Sequence, residues 1–268
     1  MAAAFLLAHF DDEYCALPLI LQARAAGEAC WFLYVADYRD PRNAARRLKE
    51  TQNFLASLGV EPDRAIHVGA GTGVLDGQIV KGLDIALAKL REALARLPPT
   101  TRFVTPAWEG GHPDHDGCAA MATILAAERG GVPVQQFGLY NGRWPLKPLY
   151  RACSPIPENG PEVRVRLSPR QWLAWIAAVR FFPSQTWNWL GLWPAMFLSL
   201  ATRGGFAAQA LAPGRIRERP HAGPLHYERM FSTPYGTVRA AVDAALAAQE
   251  GQRPGRARTR KKPTVISA

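Results

Sequence analysis

The amino-acid sequence predicts an α/β fold in which a mostly parallel sheet is covered by helices on both faces. Short apolar runs alternate with helical patterns throughout residues 1–140, and this alternation is typical of parallel sheets. Some of the runs, such as ACWFLYVAD at residues 29–37, are apolar almost throughout, as strands buried on both faces are. With 268 residues, 48% of them hydrophobic, the chain can bury a sizeable core.

Five strands are predicted in this region, each from an apolar run bounded by polar or glycine-containing segments. They are FLLA (5–8), ACWFLYVAD (29–37), AIHVGA (65–70), RFVTPA (102–107) and PVQQFGLY (133–140).

Helical spacing of apolar residues predicts four helices between these strands. They cover residues 15–27, 41–59, 76–97 and 115–131. The first ends at Gly27, and the second begins with Pro41 and ends at Gly59, which are typical residues for helix boundaries. The third is long and amphipathic.

The character of the sequence changes after Tyr140. Prolines become frequent, VRVRL at 163–167 predicts another strand, and residues 169–202 are rich in tryptophan. Gly191 and Pro194 interrupt the longest apolar stretch, so no transmembrane helix is expected. A helical cap on the sheet and an apolar surface for a lipid or a partner both remain open. We expect one domain over residues 1–250, with the sheet core at 1–140 and the cap at 141–250.

The net charge of +10 is concentrated at the end of the chain. The segment 251–268 holds six basic residues and no acidic one, and we expect it to be a disordered tail. Nucleic acid is therefore not the expected partner, while peripheral membrane contact stays open. The four cysteines lack paired spacing and no secretory signal is apparent, so we expect free thiols in the cytoplasm.

Two polar motifs follow predicted strands. AHFDDE (8–13) comes after the first strand and EGGHPDHDG (109–117) after the fourth. Ligands of parallel α/β sheets bind beyond the carboxyl ends of the strands, so both motifs are expected at the functional edge. The adjacent acids Asp11, Asp12 and Glu13 repel one another unless a cation or a proton-transfer role accounts for them.

His9, Asp12 and His115 together offer two imidazoles and one carboxylate. This donor set suits Zn²⁺ in a catalytic site and also suits Fe²⁺, and spacing alone does not choose between them. A divalent ion lowers the pKa of its water toward about 7. Asp11, beside a ligand, is then the natural proton acceptor.

The second motif adds two further groups. His112 could stabilise an oxyanion or deliver a proton to a leaving amine, and Asp114 could orient an imidazole. The assembly fits metal-assisted hydrolysis of an amide.

The two motifs resemble the HPDDE and HPDH signatures of the PIG-L/LmbE-like zinc-dependent N-acetylglucosaminyl deacetylases. The resemblance implies a Rossmann-like three-layer fold and removal of acetyl from an N-acetylated amino sugar or its conjugate. It also implies roles for the motif residues: zinc ligands His9, Asp12 and His115, general base Asp11, and His112 stabilising the tetrahedral intermediate with support from Asp114.

Weaker similarities extend further along the chain. RLKETQNFLASLGV resembles a family helix and implies that Arg47 contacts substrate, with Glu50 as its ion partner. LDG at 75–77 implies that Asp76 binds a sugar hydroxyl. Phe10 stands where the family has proline, and we expect it to contact substrate; Trp175 stands where the family has lysine, which implies a different substrate environment.

Two alternatives to sugar deacetylation remain. One is an amidase that acts on a larger or lipid-linked acyl amino sugar, which the aromatic segment 172–193 favours. The other is a non-catalytic protein that binds nucleic acid or membrane through the basic tail. The second is less expected, because no ligand and no base is missing from the motifs.

Overall fold

The computed structural model describes residues 1–143 and 151–252. Its strands are β1 (Ala2–Leu7), β2 (Ala29–Tyr34), β3 (Ala65–His67), β4 (Thr100–Pro106), β5 (Val134–Phe137), β6 (Tyr140–Asn141), β7 (Arg151–Ala152), β8 (Glu162–Val165) and β9 (Phe206–Ala210). Its helices are α1 (Asp12–Cys15), α2 (Leu17–Ala25), α3 (Pro41–Ser57), α4 (Leu83–Ala95), α5 (Pro113–Glu128), α6 (Pro169–Ala178), α7 (Thr186–Arg203), α8 (His226–Met230) and α9 (Tyr235–Gln252). The predicted tail lies outside the described residues from position 253 onward.

Seven strands form one sheet in the order β3-β2-β1-β4-β5-β9-β8. The pairs among β1 to β5 are parallel, while β9 pairs antiparallel with β5 and β8 antiparallel with β9. The predicted fold class is confirmed. β8 and β9 come from the region predicted as a cap, so the sheet extends beyond residues 1–140.

Helices cover both faces of the sheet. In β1, Ala4 and Leu6 face a core shared with α4, α5 and α9, while Phe5 and Leu7 face a core shared with α2, α3, α6 and α7. This division follows from the pleat of a strand, which points successive side chains to opposite faces. The result is a three-layer arrangement with the tryptophan-rich segment in one outer layer.

The third predicted helix begins later than expected. Residues 79–82 form a short 3₁₀ turn, and α4 begins only at Leu83 instead of at residue 76. Within the described ranges no helix is both long and apolar enough to cross a membrane.

Trp175 ties α6 to the core. Its indole Nε1–H donates to the carbonyl of Tyr14 at 2.9 Å, and its own carbonyl accepts from the Tyr14 hydroxyl at 2.9 Å. The side chain is fully buried among aromatic rings. Trp175 therefore makes no direct contact with the cavity in which a substrate was expected, because its ring packs in the core.

We expect Trp175→Ala to lower the free energy of unfolding by about 3–5 kcal/mol, because it leaves a large cavity and removes the hydrogen bond that the indole Nε1–H donates to the Tyr14 carbonyl. Denaturant titration measures this loss. The matched control is Trp187→Ala on α7, whose side chain is 86% exposed and whose loss should change stability by no more than about 0.5 kcal/mol. Equal effects of the two substitutions would contradict this account.

Candidate active site

The two motifs meet because their strands are neighbours. His9 and Asp12 follow β1, His112 and His115 follow β4, and β1 pairs directly with β4. The rings of His9, His112 and His115 form a triangle with centroids 5.0, 5.1 and 5.4 Å apart. Residues separated by about a hundred positions in sequence are thereby gathered at one edge of the sheet.

The HPDH motif starts α5. His112 is the N-cap residue, and its Nδ1 accepts from the backbone N–H of Asp114 at 3.2 Å. Pro113 takes the first helical position, where its missing N–H costs no hydrogen bond. His115 therefore lies in the first turn of the helix, with its imidazole at the carboxyl edge of the sheet.

A cavity of about 370 Å³ opens above these residues. It is lined by seven of the nine predicted site residues: His9, Asp11, Asp12, Arg47, Asp76, His112 and His115. Asp114 lies beneath them and is fully buried.

His9, Asp12 and His115 fit a divalent cation. One ligand atom from each lies within 4.8 Å of the others. His115 Nε2 is 3.2 Å from Asp12 Oδ1, yet this buried nitrogen makes no hydrogen bond within the described part of the chain. A buried polar nitrogen normally has a partner, and a divalent cation held by this nitrogen and the carboxylate would provide one.

The second oxygen of Asp12 is already occupied. It accepts from the backbone N–H groups of Ala8 and His9, each at 2.9 Å. Burial opposes ionisation of Asp12, but His115 and His9 outweigh it and hold the pKa of the carboxyl well below its usual range. Asp12 is thus a fixed anion with one oxygen directed at the two imidazoles.

Asp114 fixes the orientation of His9. The carboxylate accepts from the backbone N–H groups of Gly77 (2.6 Å) and Ile79 (2.9 Å), and Oδ2 lies 3.2 Å from His9 Nε2. With Nε2–H donating to this carboxylate, the lone pair of His9 Nδ1 faces Asp12, 3.8 Å away. A carboxylate that holds the far nitrogen of a ligating histidine is a common feature of metal sites.

Asp11 occupies a strained backbone position. Its φ is 122°, a value that side-chain-bearing residues rarely adopt, and its N–H donates to Glu13 Oε2 at 3.0 Å. Such strain persists where surrounding structure holds it, often at functional sites. Burial raises the pKa of the Asp11 carboxyl to about 7, although the Arg47 guanidinium lowers it.

The tautomer of His112 follows from its capping contact. Because Nδ1 accepts a backbone N–H, the ring proton of the neutral imidazole lies on Nε2. Burial, reinforced by the nearby His9, lowers the pKa of His112 to about 3. The side chain can therefore donate a hydrogen bond as a neutral group, in contrast to the protonated form considered from the sequence.

Residues 4–126 match the family model described as GlcNAc-PI de-N-acetylase, PIG-L. The chain is therefore similar to this family over the part that carries both motifs. This confirms the resemblance that the two motifs indicated, and the matched region contains all nine predicted site residues. No curated protein sequence matches the chain.

Solved structures share the fold at low sequence identity. A triple-mutant deacetylase of the teicoplanin biosynthetic pathway is 19% identical, with a TM-score of 0.57 over 79% of this chain and 98% of that one. N,N′-diacetylchitobiose deacetylase from Pyrococcus horikoshii is 15% identical, with a TM-score of 0.52 over 80% and 84%. A 4-carboxy-2-hydroxymuconate hydratase from Pseudomonas putida is 16% identical, with a TM-score of 0.52 over 79% and 95%.

Arg47 contacts Asp11 instead of a helix neighbour. Its Nη2 donates to the carbonyl of Phe10 at 2.6 Å and lies 3.3 Å from Asp11 Oδ1. Glu50, expected to be its ion partner, instead accepts from the backbone N–H and the hydroxyl of Ser184. Arg47 thus holds Asp11, while Glu50 anchors the segment before α7.

Asp76 stands at the cavity wall with its side chain about half exposed. One carboxylate oxygen is 3.1 Å from His9 Nε2, and the proximity of His9 holds the pKa of Asp76 well below its usual range. The remaining oxygen is available to a group that enters the cavity, as the prediction of a sugar contact requires.

Phe10 does not line the cavity, contrary to the expected substrate contact. Its ring is 1% exposed and packs against Tyr34, Tyr38 and His67 with centroids 4.7, 5.4 and 4.9 Å away. Its backbone N–H donates to the Tyr38 hydroxyl at 3.2 Å, a bond that a proline at this position cannot make. The ring turns into the core because the loop directs the two acids that follow toward the cavity.

Several lining residues lie beyond the PIG-L match and have no motif to mark them. They are Leu139, Tyr140, Gln185, Asn188, Trp189, Leu192, His226 and Phe231. The backbone N–H of His226 donates to the carbonyl of Gly110 at 2.8 Å, which ties α8 to the loop before HPDH. A lone histidine in a sequence gives no signal of such a position.

We expect Asp114→Asn to weaken binding of a divalent metal by about 10- to 100-fold, because an amide holds the His9 Nε2–H and the two backbone N–H groups less firmly. Isothermal titration with Zn²⁺ measures the change. Asp84→Asn, in the exposed first turn of α4, is the matched control and should bind metal normally. Unchanged affinity in Asp114→Asn would show that this carboxylate does not orient His9.

Proposed function

We propose that the protein is a metal-dependent N-deacetylase that hydrolyses the acetamido group of an N-acetylated amino sugar or N-acetylglucosaminyl conjugate. One observation carries this proposal: the donor set His9, Asp12 and His115 faces the same cavity as a strained, buried carboxylate and a neutral imidazole. The PIG-L match and the two deacetylases among the similar structures support it. Because a hydratase shares the fold, the fold alone leaves the reaction open.

We assign the site to Zn²⁺, with Fe²⁺ as the alternative. Two imidazoles and one carboxylate are a frequent ligand set for catalytic zinc, with further positions open to water and substrate. A divalent ion held there would polarise the amide carbonyl and acidify a coordinated water. All four cysteines are free and buried, which supports a reducing compartment such as the cytoplasm.

Asp11 and His112 divide the proton transfer and charge stabilisation between them. The Asp11 carboxylate accepts the proton of the attacking water and returns it to the amine as the C–N bond breaks. The His112 Nε2–H donates to the carbonyl oxygen as that oxygen becomes negative. Arg47 keeps the Asp11 carboxylate in place, at 3.3 Å, and Asp76 accepts from a sugar hydroxyl.

A panel of metal-loaded incubations tests the proposal. N-acetylglucosaminyl compounds with small, peptide and lipid aglycones are compared with matched compounds bearing longer acyl groups, while free amine and released acid are followed. Equal amounts of amine and acetate are expected from the N-acetyl series. Preferential release of longer acids would favour the larger-acyl amidase, and no amine from any compound with Zn²⁺ or Fe²⁺ would overturn the assignment.

We expect Asp11→Asn to lower kcat by about 10²- to 10⁴-fold, because the amide cannot accept a proton from water. Metal content should stay at the wild-type level, since Asp12 and the two histidines are unchanged. Metal analysis and steady-state rates on the best substrate provide the measurements. Asp63→Asn, on an exposed turn after α3, should retain full activity, and wild-type turnover in Asp11→Asn would remove this residue from the mechanism.

We expect His112→Asn to reduce kcat by about 10²- to 10³-fold with little change in KM, because the shorter side chain withdraws the N–H donor from the carbonyl oxygen. Asparagine is a favourable N-cap residue, so α5 should keep its start and the thermal midpoint should stay close to wild type. A rise in KM alone would indicate that His112 binds substrate without stabilising the transition state.

A further inference from the structure

The outer face of α6 and α7 exposes large apolar side chains. Leu173 is 66% exposed, Trp187 86%, Leu190 60% and Leu198 67%. We refer to these four residues, together with Arg166, Arg170 and Arg180, as the α6–α7 face. Isolated exposed leucines are common on proteins, but a cluster headed by a tryptophan marks a surface that contacts something.

The exposed residues follow the helical repeat. Along α7, residues 187, 190, 194 and 198 fall on one stripe, whereas Trp189, Met196 and Leu200 are buried against the sheet layer. Along α6, Arg170, Leu173 and Ala177 form the corresponding exposed stripe. Each of the two helices therefore packs one side in the core and exposes apolar side chains on the other side.

The segment that forms this face carries charge of one sign. The sequence contains no aspartate or glutamate from residue 163 to residue 217. Arg166, Arg170 and Arg180 are exposed, and none of them forms an ion pair with another residue of the described ranges. Three unpaired guanidinium groups beside an apolar stripe form a surface that is complementary to a layer of anionic groups over hydrocarbon.

A groove of about 450 Å³ lies at this face. Arg180, Leu190 and Trp193 line the groove, and Trp189 lines both the groove and the cavity. Trp189 is thus shared by the two spaces. A group bound in the groove would contact a residue that also lines the active-site cavity.

We propose that the α6–α7 face docks the protein on an anionic phospholipid surface, with Trp187 and Leu190 at the level of the headgroups and the arginines against the phosphates. Tryptophan favours this interfacial position, and an apolar stripe flanked by basic residues is typical of surface-bound helices. A second copy is the weaker candidate, because a twofold contact would set three unpaired arginines against the same three. The inference stands independently of the reaction assigned to the cavity.

Vesicle cosedimentation with the full chain tests the proposal. Phosphatidylcholine vesicles are compared with vesicles in which about one third of the lipid is phosphatidylglycerol, since an anionic surface contributes about fivefold in binding per nearby arginine. Binding should favour the anionic vesicles, and a part of it should persist in high salt because of the apolar contacts.

Two sets of variants separate the α6–α7 face from the basic tail. The double variant Trp187→Ala/Leu190→Ala should weaken vesicle binding by about tenfold through lost apolar burial, with an unchanged unfolding midpoint. Ile85→Ala, on α4 in the opposite layer and 45% exposed, is the matched control and should bind like wild type. Arg170→Gln/Arg180→Gln should weaken binding to anionic vesicles alone.

Replacing the six basic residues after Gly251 by glutamine decides between the two regions. Retained binding that still depends on Trp187 and Leu190 would support the proposal. Binding that disappears with the tail charges, or that ignores the double variant, would overturn it. A concentration-dependent dimer in gel filtration that the double variant abolishes would also overturn it, in favour of self-association.

Discussion

The buried carboxylate of Asp114 is the contact on which the cavity depends. It accepts from the backbone of Gly77 and Ile79 and holds His9 Nε2, so one side chain at the start of α5 fixes a loop from another crossover and a residue after β1. A carboxylate with three hydrogen-bond partners is held in one orientation. Asp114 therefore determines three features at once: the direction of His9 Nδ1, the position of the loop that carries Asp76, and the start of α5.

The same logic explains why three consecutive acids are tolerated. Asp12 turns back to the N–H groups of Ala8 and His9, Glu13 accepts the N–H of Asp11, and Asp11 faces Arg47. Each carboxylate has its own donors, so the like charges are partly compensated. This arrangement requires a strained backbone at Asp11, whose φ is positive. The side chains of Asp11 and Asp12 both line the cavity but have different partners.

The meeting of the two motifs in one cavity was predictable because it depends on a general property of parallel sheets: motifs after β1 and β4 meet at the carboxyl edge if the strands are neighbours. Contacts decided by distant packing were not. The resemblance of this helix to a family helix implied an Arg47–Glu50 pair, but Arg47 contacts Asp11 and Glu50 contacts Ser184. The helix expected from residue 76 starts at Leu83 because Asp114, far along the chain, captures the N–H groups of Gly77 and Ile79.

Helix α7 connects the chemistry to the surface of the molecule. The helical repeat of 3.6 residues places Trp187 and Leu190 on one side of α7 and Trp189 on the other, so Trp189 lines the cavity while Trp187 and Leu190 face outward. Glu50 holds Ser184 just before this helix, and α3, which carries Glu50, also supplies Arg47 to Asp11. A displacement of α7 would therefore change the cavity in two ways. It would move Trp189 directly, and it would shift α3 and with it the contact between Arg47 and Asp11.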